Sequence, residues 1–159
     1  MMTLAQLDEM FCQGCAYADC ADMLEVVPNG FFLEYASAQI TNSAFSAEIF
    51  LKVLLERLGK KAESNHKLQE LFAKLPNDMA EEIRMYTSHY VDGWRESDLN
   101  SISNAFVNWR YGYERKGTLG ITTSFLKAFR NALREQCAKV VFGKTWDEYN
   151  EQRQLRIKR

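Results

Sequence analysis

Cys12-Gln-Gly-Cys15 places two thiols at the spacing that a tetrahedral zinc ion or a redox pair would use. No second paired motif follows, and only His66 and His89 stand beside Cys20 and Cys137 as further soft ligands. Helical patterning around Cys12 also replaces the knuckle turn that such a site needs. The expectation is reduced, half-buried cysteines, with no metal and no cofactor. Glu48, Lys52 and Glu56 recur at i, i+4, i+8. Such a stripe reads as a solvated ladder worth about 0.3 kcal/mol per pair. The sharper reading turns Glu48 and Lys52 toward a groove between helices. Arg110, between Trp109 and Tyr111, suits a phosphate-binding arginine stacked on an aromatic ring. It suits equally an interhelical ion pair with Glu48 or Glu114. His66, at a helix start, reads as a structural residue that packs on leucines or accepts from a backbone N–H.

The elements that must position these groups are all helical. The longest stretch, Phe31–Gly59, is apolar around most of its circumference, lacks proline and is closed by a glycine. Before it, Thr3-x-x-Gln6 forms a capping box for a first helix carrying Leu4, Leu7, Phe11 and Ala18, with Gly14 allowing close approach. That helix is expected to fade near Cys20–Asp22, and Pro28-Asn29-Gly30 is a turn signal. Leu68, Leu71, Phe72 and Leu75 mark a brief helix that Pro76 ends. Asp78-x-x-Glu81 reads as another capping box, opening a helix striped by Met79, Ile83, Tyr86 and Tyr90. Asp98–Tyr113 repeats Leu99, Ile102, Phe106, Trp109 and Tyr113 as a packing seam. A loop over Glu114–Gly120 leads to a helix from about Leu119 to Val141, which buries Phe125, Phe129, Ala132, Leu133 and Val140 before Gly143. Thr145-x-x-Glu148 caps the last helix, which ends in Arg153, Arg156, Lys158 and Arg159. Trp146 and Tyr149 read as anchors of that helix on the bundle. The pattern predicts an all-α protein, an antiparallel bundle of about six helices over 1–143 followed by a C-terminal helix with a basic tail over 144–159.

Composition limits the function classes. The chain has 159 residues, 47% hydrophobic and 26% charged, which is ordinary for one globular domain. Its formal net charge of −1 supplies no global field for nucleic acid, and no DNA partner is expected. No apolar run approaches the roughly 18–20 residues that span a bilayer, so no membrane partner is expected. The N-terminus, Met-Met-Thr-Leu-Ala-Gln, lacks the cationic start of a secretory signal, and the cytoplasm is the expected compartment.

Three stretches together resemble the HEPN domains (higher eukaryotes and prokaryotes nucleotide-binding) of prokaryotic toxin–antitoxin and defence systems. Asn42–Leu58 carries Glu48-x-x-x-Lys52 and then leucines. His66-x-Leu68, followed by Leu71, is similar to the family's His-Asp-Leu pattern, with Lys67 in place of the acid. Trp109-Arg110-Tyr111 is similar to its Arg-Tyr pair, with Gly112 where a proline often stands. The resemblance covers about Asn42–Val141.

The resemblance implies a dimerising helical bundle whose active members are metal-independent ribonucleases with an Arg-x4-6-His motif. Arg84-Met-Tyr-Thr-Ser-His89 meets that pattern. A histidine can shuttle a 2′-hydroxyl proton near neutral pH while an arginine braces the phosphoryl charge. Residues five apart, however, lie about 140° apart on a regular helix, so this pair diverges. Arg130-Asn131 resembles the start of the same motif, but Glu135 stands where its histidine would be. The sequence therefore predicts a non-catalytic HEPN-like module that binds RNA, a nucleotide or a partner protein, as a homodimer, through Glu48, Lys52 and Arg110. The alternatives are a ribonuclease using Arg84 and His89, and an adaptor bundle unrelated to HEPN.

Overall fold

The structure is a computed structural model and describes residues 1–26, 32–62, 64–110 and 122–158, with 32–34 described by backbone alone. The Pro28-Asn29-Gly30 turn, Tyr111, Tyr113 and the Glu114–Gly120 loop lie outside these residues. The described residues are helical, with no strand among them. The order is α1 (Leu4–Glu25), α2 (Phe32–Arg57), α3 (Leu68–Phe72), α4 (Asn77–Ser88), α5 (Glu96–Ile102), α6 (Ala105–Arg110), α7 (Thr123–Phe142) and α8 (Trp146–Ile157). This is the all-α bundle expected from the pattern, and none of its helices is long and apolar enough to cross a membrane.

The α2 helix is the spine, packed by α1, α3, α6 and α7. Phe50, Leu51, Val53, Leu54 and Leu55 are all fully buried along it, which a surface helix with one apolar stripe would not allow. It closes in a Schellman motif. Gly59 takes φ +70°, Lys60 donates its N–H to the Leu55 carbonyl at 2.9 Å, and Gly59 donates to Glu56 at 3.0 Å. Capping boxes start α1 and α8. Thr3 Oγ1 accepts from the Gln6 N–H at 3.2 Å, and Thr145 Oγ1 accepts from the Glu148 N–H at 3.2 Å.

Several expected boundaries move. The α1 helix continues past Cys20–Asp22 to Glu25. The α4 helix starts at Asn77 from a Pro76 N-cap without a side-chain cap, so Asp78 serves as a first-turn anion at the positive helix end, not as a cap. Tyr90 lies beyond the end of α4, in the turn that follows, and is 68% exposed. Val140 is half-buried, and Val141 takes the core position. The predicted Asp98–Tyr113 helix is two helices with a break at Ser103–Asn104. The cause is a neighbour. The α3 helix has no side-chain cap at Lys67, and its orphan amides turn to Ser103. Leu68 donates to the Ser103 carbonyl at 3.0 Å and Gln69 donates to its hydroxyl at 3.1 Å.

The α8 helix is held to α1 by polar side chains around an aromatic cluster. Phe11 meets Tyr149 at 4.8 Å and Phe142 at 5.4 Å between ring centroids. The Tyr149 hydroxyl donates to Asp8 at 2.6 Å, and Arg156 donates to the same carboxylate at 2.6 Å. Arg153 donates to Asp19 at 2.7 Å. These two arginines of the basic tail are thereby committed to α1; Lys158 is exposed, and Arg159 lies outside the described residues.

Burial alone would raise the Asp8 pKa, but the hydrogen bonds from Arg156 and Tyr149 outweigh it and hold the carboxyl below its usual range. A depressed folded-state pKa contributes stability that is complete above the unfolded value near 4 and fades as pH falls through the folded one. Asp8→Asn should therefore cost about 1 kcal/mol at neutral pH, a modest figure for a network largely open to solvent. It should also flatten the stability loss below about pH 4 that the wild type shows in denaturant titrations. An unchanged acid limb would exclude this carboxylate as its source.

Candidate functional site

Glu48 is a carboxylate on the spine helix α2, with its side chain only 2% exposed. A buried charge needs partners, and it has two. Lys52, one turn later on the same face, donates from Nζ to Oε1 at 2.7 Å. His66 Nδ1 lies 3.0 Å from Oε1 and 3.1 Å from Oε2. The stripe expected as a solvated ladder is thus three different things. Glu48 is buried, Lys52 is mostly covered, and Glu56 accepts the Ala62 N–H at 3.1 Å and pins the loop after α2.

Local chemistry delivers His66 to this place. Asn65 Oδ1 accepts from the Lys67 N–H at 2.8 Å, a side chain bonding the backbone two residues on. Ser103 then anchors the first turn of α3. Against a carboxylate, Nδ1 must be the donor, so the neutral His66 ring keeps its lone pair on Nε2. The side chain is 44% exposed, so His66 is both anchored on a buried acid and open to solvent. His66 keeps the structural part expected for it, but its partner is the Glu48 carboxylate and not a backbone N–H.

The α6 helix completes the face. The Phe106 ring lies 5.6 Å from the His66 ring, and Phe45 stacks on Phe106 at 4.6 Å with an interplanar angle of 19°. Tyr17 meets Phe45 edge-on at 4.6 Å. Arg110 sets its guanidinium 5.0 Å above the Phe106 ring, so the aromatic on which it stacks lies one turn back on α6. The fold therefore gathers Glu48, Lys52 and Arg110 around His66 and Phe106. Phe106 was legible only as a seam residue, because a helical period marks burial and says nothing of which neighbour a ring will meet.

Arg84 and His89 have other neighbours, on α4, α3 and the segment before α5. Arg84 pairs with Glu81 at 2.6 Å and Glu96 at 3.7 Å, and lies over Phe72 at 5.3 Å and Trp94 at 5.6 Å. His89 follows the last residue of α4, exposed, with its ring 6.2 Å from Tyr86. No hydrogen bond or ion pair joins the two among the described residues. The Arg130-Asn131 stretch on α7 faces inward. Arg130 is 1% exposed and donates to Asp22 at 2.7 Å and to Ser43 at 3.3 Å.

The thiols divide by environment. Burial pushes Cys15 up to about 12 and Cys137 well above the ordinary thiol value, which leaves both unreactive at neutral pH. Among the described residues, no three His, Cys, Asp or Glu side chains come together as a metal site would require. No protein-family model, curated protein or solved structure matches the chain.

Proposed function

We propose that this chain is a non-catalytic HEPN-like module, working as a dimer, that binds RNA or a nucleotide on the face built by Lys52, His66, Phe106 and Arg110. One observation carries the reading. The three stretches that bear the resemblance are far apart in sequence, and their residues adjoin: Lys52 and His66 both bond Glu48, and the Phe106 ring lies beside both the His66 ring and the Arg110 guanidinium. The residue types suit a phosphorylated, aromatic ligand. Arginine and lysine donate to phosphate oxygens, the His66 ring offers Nε2, and an aromatic stack can extend onto a base. Glu48 acts from below, fixing the directions of Lys52 and His66. Arg84, held by two glutamates over two rings, supports the non-catalytic form of the reading.

The test is binding of a labelled single-stranded RNA, and separately of ATP, followed by fluorescence anisotropy and calorimetry. Arg110→Ala should weaken binding about tenfold, the worth of one good charge-assisted contact near 1.4 kcal/mol. Glu48→Gln should weaken it less, since it loosens Lys52 and His66 without removing either. His89→Ala should change nothing. Absence of measurable affinity for either ligand would sink the proposal. RNA cleavage that survives EDTA and disappears in His89→Ala would favour the ribonuclease reading instead.

A further inference from the structure

Cys15, Asp19 and Asp22 follow one another at i, i+4 and i+7 along α1, and the charges of Arg130, Arg134 and Arg153 gather on that stripe. Two of these arginines are satisfied there. Arg130 donates to Asp22 at 2.7 Å, and Arg153 donates to Asp19 at 2.7 Å. Arg134, one turn beyond Arg130 on α7, makes no ion pair and no hydrogen bond among the described residues. The side chain is half-buried, and of its three nitrogens only Nε is shut off from solvent, with no acceptor. The guanidinium lies 4.0 Å above the Trp146 ring. That ring is itself fixed, edge-on to Phe11 at 6.3 Å, while the Trp146 N–H donates to Glu135 at 3.4 Å. Burial, and next the like charge of Arg130, lower the Arg134 pKa, and the opposing influence of Cys15, Asp22 and Asp19 does not cancel them. An arginine so placed is still a cation at neutral pH, and what it lacks is an acceptor.

From this arrangement we infer that Arg134 is the recognition residue of an oxyanion site between α7 and α8, taking a carboxylate or phosphate group end-on in its Nη1–Nη2 fork. The open donors are those two Nη groups, which match two oxygens of one carboxylate or phosphate. Stacking on Trp146 holds the guanidinium plane before a ligand arrives, so little of the ordering cost falls on binding. Asn131, one turn earlier on α7, gives its Oδ1 to Arg130 at 3.1 and 3.3 Å, which leaves its Nδ2 as a further donor on the same side of the helix. The nearby carboxylates do not fill the place. Asp22 and Asp19 are each held by another arginine, and Glu135 is held by the Trp146 amide. The site shares no residue with the face of Lys52, His66 and Arg110.

The experiment titrates sodium phosphate and, separately, sodium acetate into the isotope-labelled full chain at neutral pH, with sodium chloride at matched ionic strength as the blank. It is run on wild type and on Arg110→Ala, so that anions held at the other face are told apart. The Trp146 indole and the Arg134 Nε–H are followed by NMR. Both signals should shift saturably in the millimolar range, and equally in Arg110→Ala. Arg134→Lys keeps the charge and loses the fork, and should weaken the binding read at Trp146 by about tenfold. Saturation by phosphate alone, or by acetate alone, would assign the ligand to that one class. Shifts no larger than those with chloride, their loss in Arg110→Ala, or the same half-saturation in Arg134→Lys would overturn the inference.

Discussion

A Gly14→Val substitution should destabilise the bundle by about 3 kcal/mol, read as a shift in the urea midpoint at unchanged slope. At Gly14 the first helix packs closely on the spine. A Cβ built there would stand 2.6 Å from Phe50 Cε1, 3.0 Å from Phe50 Cδ1 and 3.1 Å from Ile49 Cγ2. The first distance is far inside van der Waals contact, and the ring cannot step aside. Phe50 is fully buried and packs on Phe11 at 5.3 Å. The helices are also tied here by a buried hydrogen bond from Ser46 Oγ to the Gly14 carbonyl at 2.8 Å, so moving α1 outward strains that bond as well. Alanine brings a helix-propensity gain of roughly 1 kcal/mol over glycine, which offsets part of a smaller clash. Gly14→Ala should therefore cost about 1 kcal/mol, and Gly14→Ala with Phe50→Leu should cost less than the sum of the two single changes. Strict additivity in that double variant would mean that the contact does not limit the packing.

Asp22→Ala should cost about 3 kcal/mol, although Asp22 is itself 40% exposed at its side chain. The asymmetry lies with its partner. Arg130 is the largest fully buried side chain, and its charge has Asp22 as its ion-pair partner, with Ser43 and Asn131 as neutral acceptors. Removing the carboxylate leaves a guanidinium in the interior facing neutral acceptors and the like charge of Arg134, and that penalty exceeds the net worth of the pair. Arg130→Met fills much of the same volume and leaves behind an aspartate that water can reach, so it should cost less. The neighbouring ion pair of Lys127 with Glu25, with both side chains more than 40% exposed, is the control. Glu25→Ala should change stability by less than about 0.5 kcal/mol. If Arg130→Met proved as damaging as Asp22→Ala, the stranded charge would not be the cause.

Much of the fold is readable from local chemistry. Thr3 with Gln6 and Thr145 with Glu148 announce helix starts, because four backbone donors need satisfying wherever a helix begins. Gly59 and Gly143 announce ends, because the left-handed closing turn at φ +70° and +64° excludes most side chains. Phe31–Gly59 shows itself as the spine because an apolar circumference cannot face water. For the caps, the deciding interactions lie within a few residues of one another.

The break at Ser103–Asn104 and the burial of Glu48 are not readable in that way. The seam that begins at Leu99 reads as one helix, whereas α5 and α6 part at Ser103–Asn104, where α3 takes up the Ser103 carbonyl. Glu48, Lys52 and Glu56 look alike on a helical wheel, yet the first is buried on His66, the second mostly covered and the third tied to a loop. Spacing alone set Arg84 and His89 on different sides of a regular helix, and only the tertiary structure shows Arg84 held between Glu81, Glu96 and two rings.

The sequence by itself determined an all-helical chain, most of its caps and the spine, because periodicity and capping are local and act at fixed offsets. The tertiary structure decided which groups become neighbours. Glu48 meets His66, and Phe106 lies beside both His66 and Arg110, through the packing of α2, the segment before α3 and α6, which the offsets within any one helix do not encode.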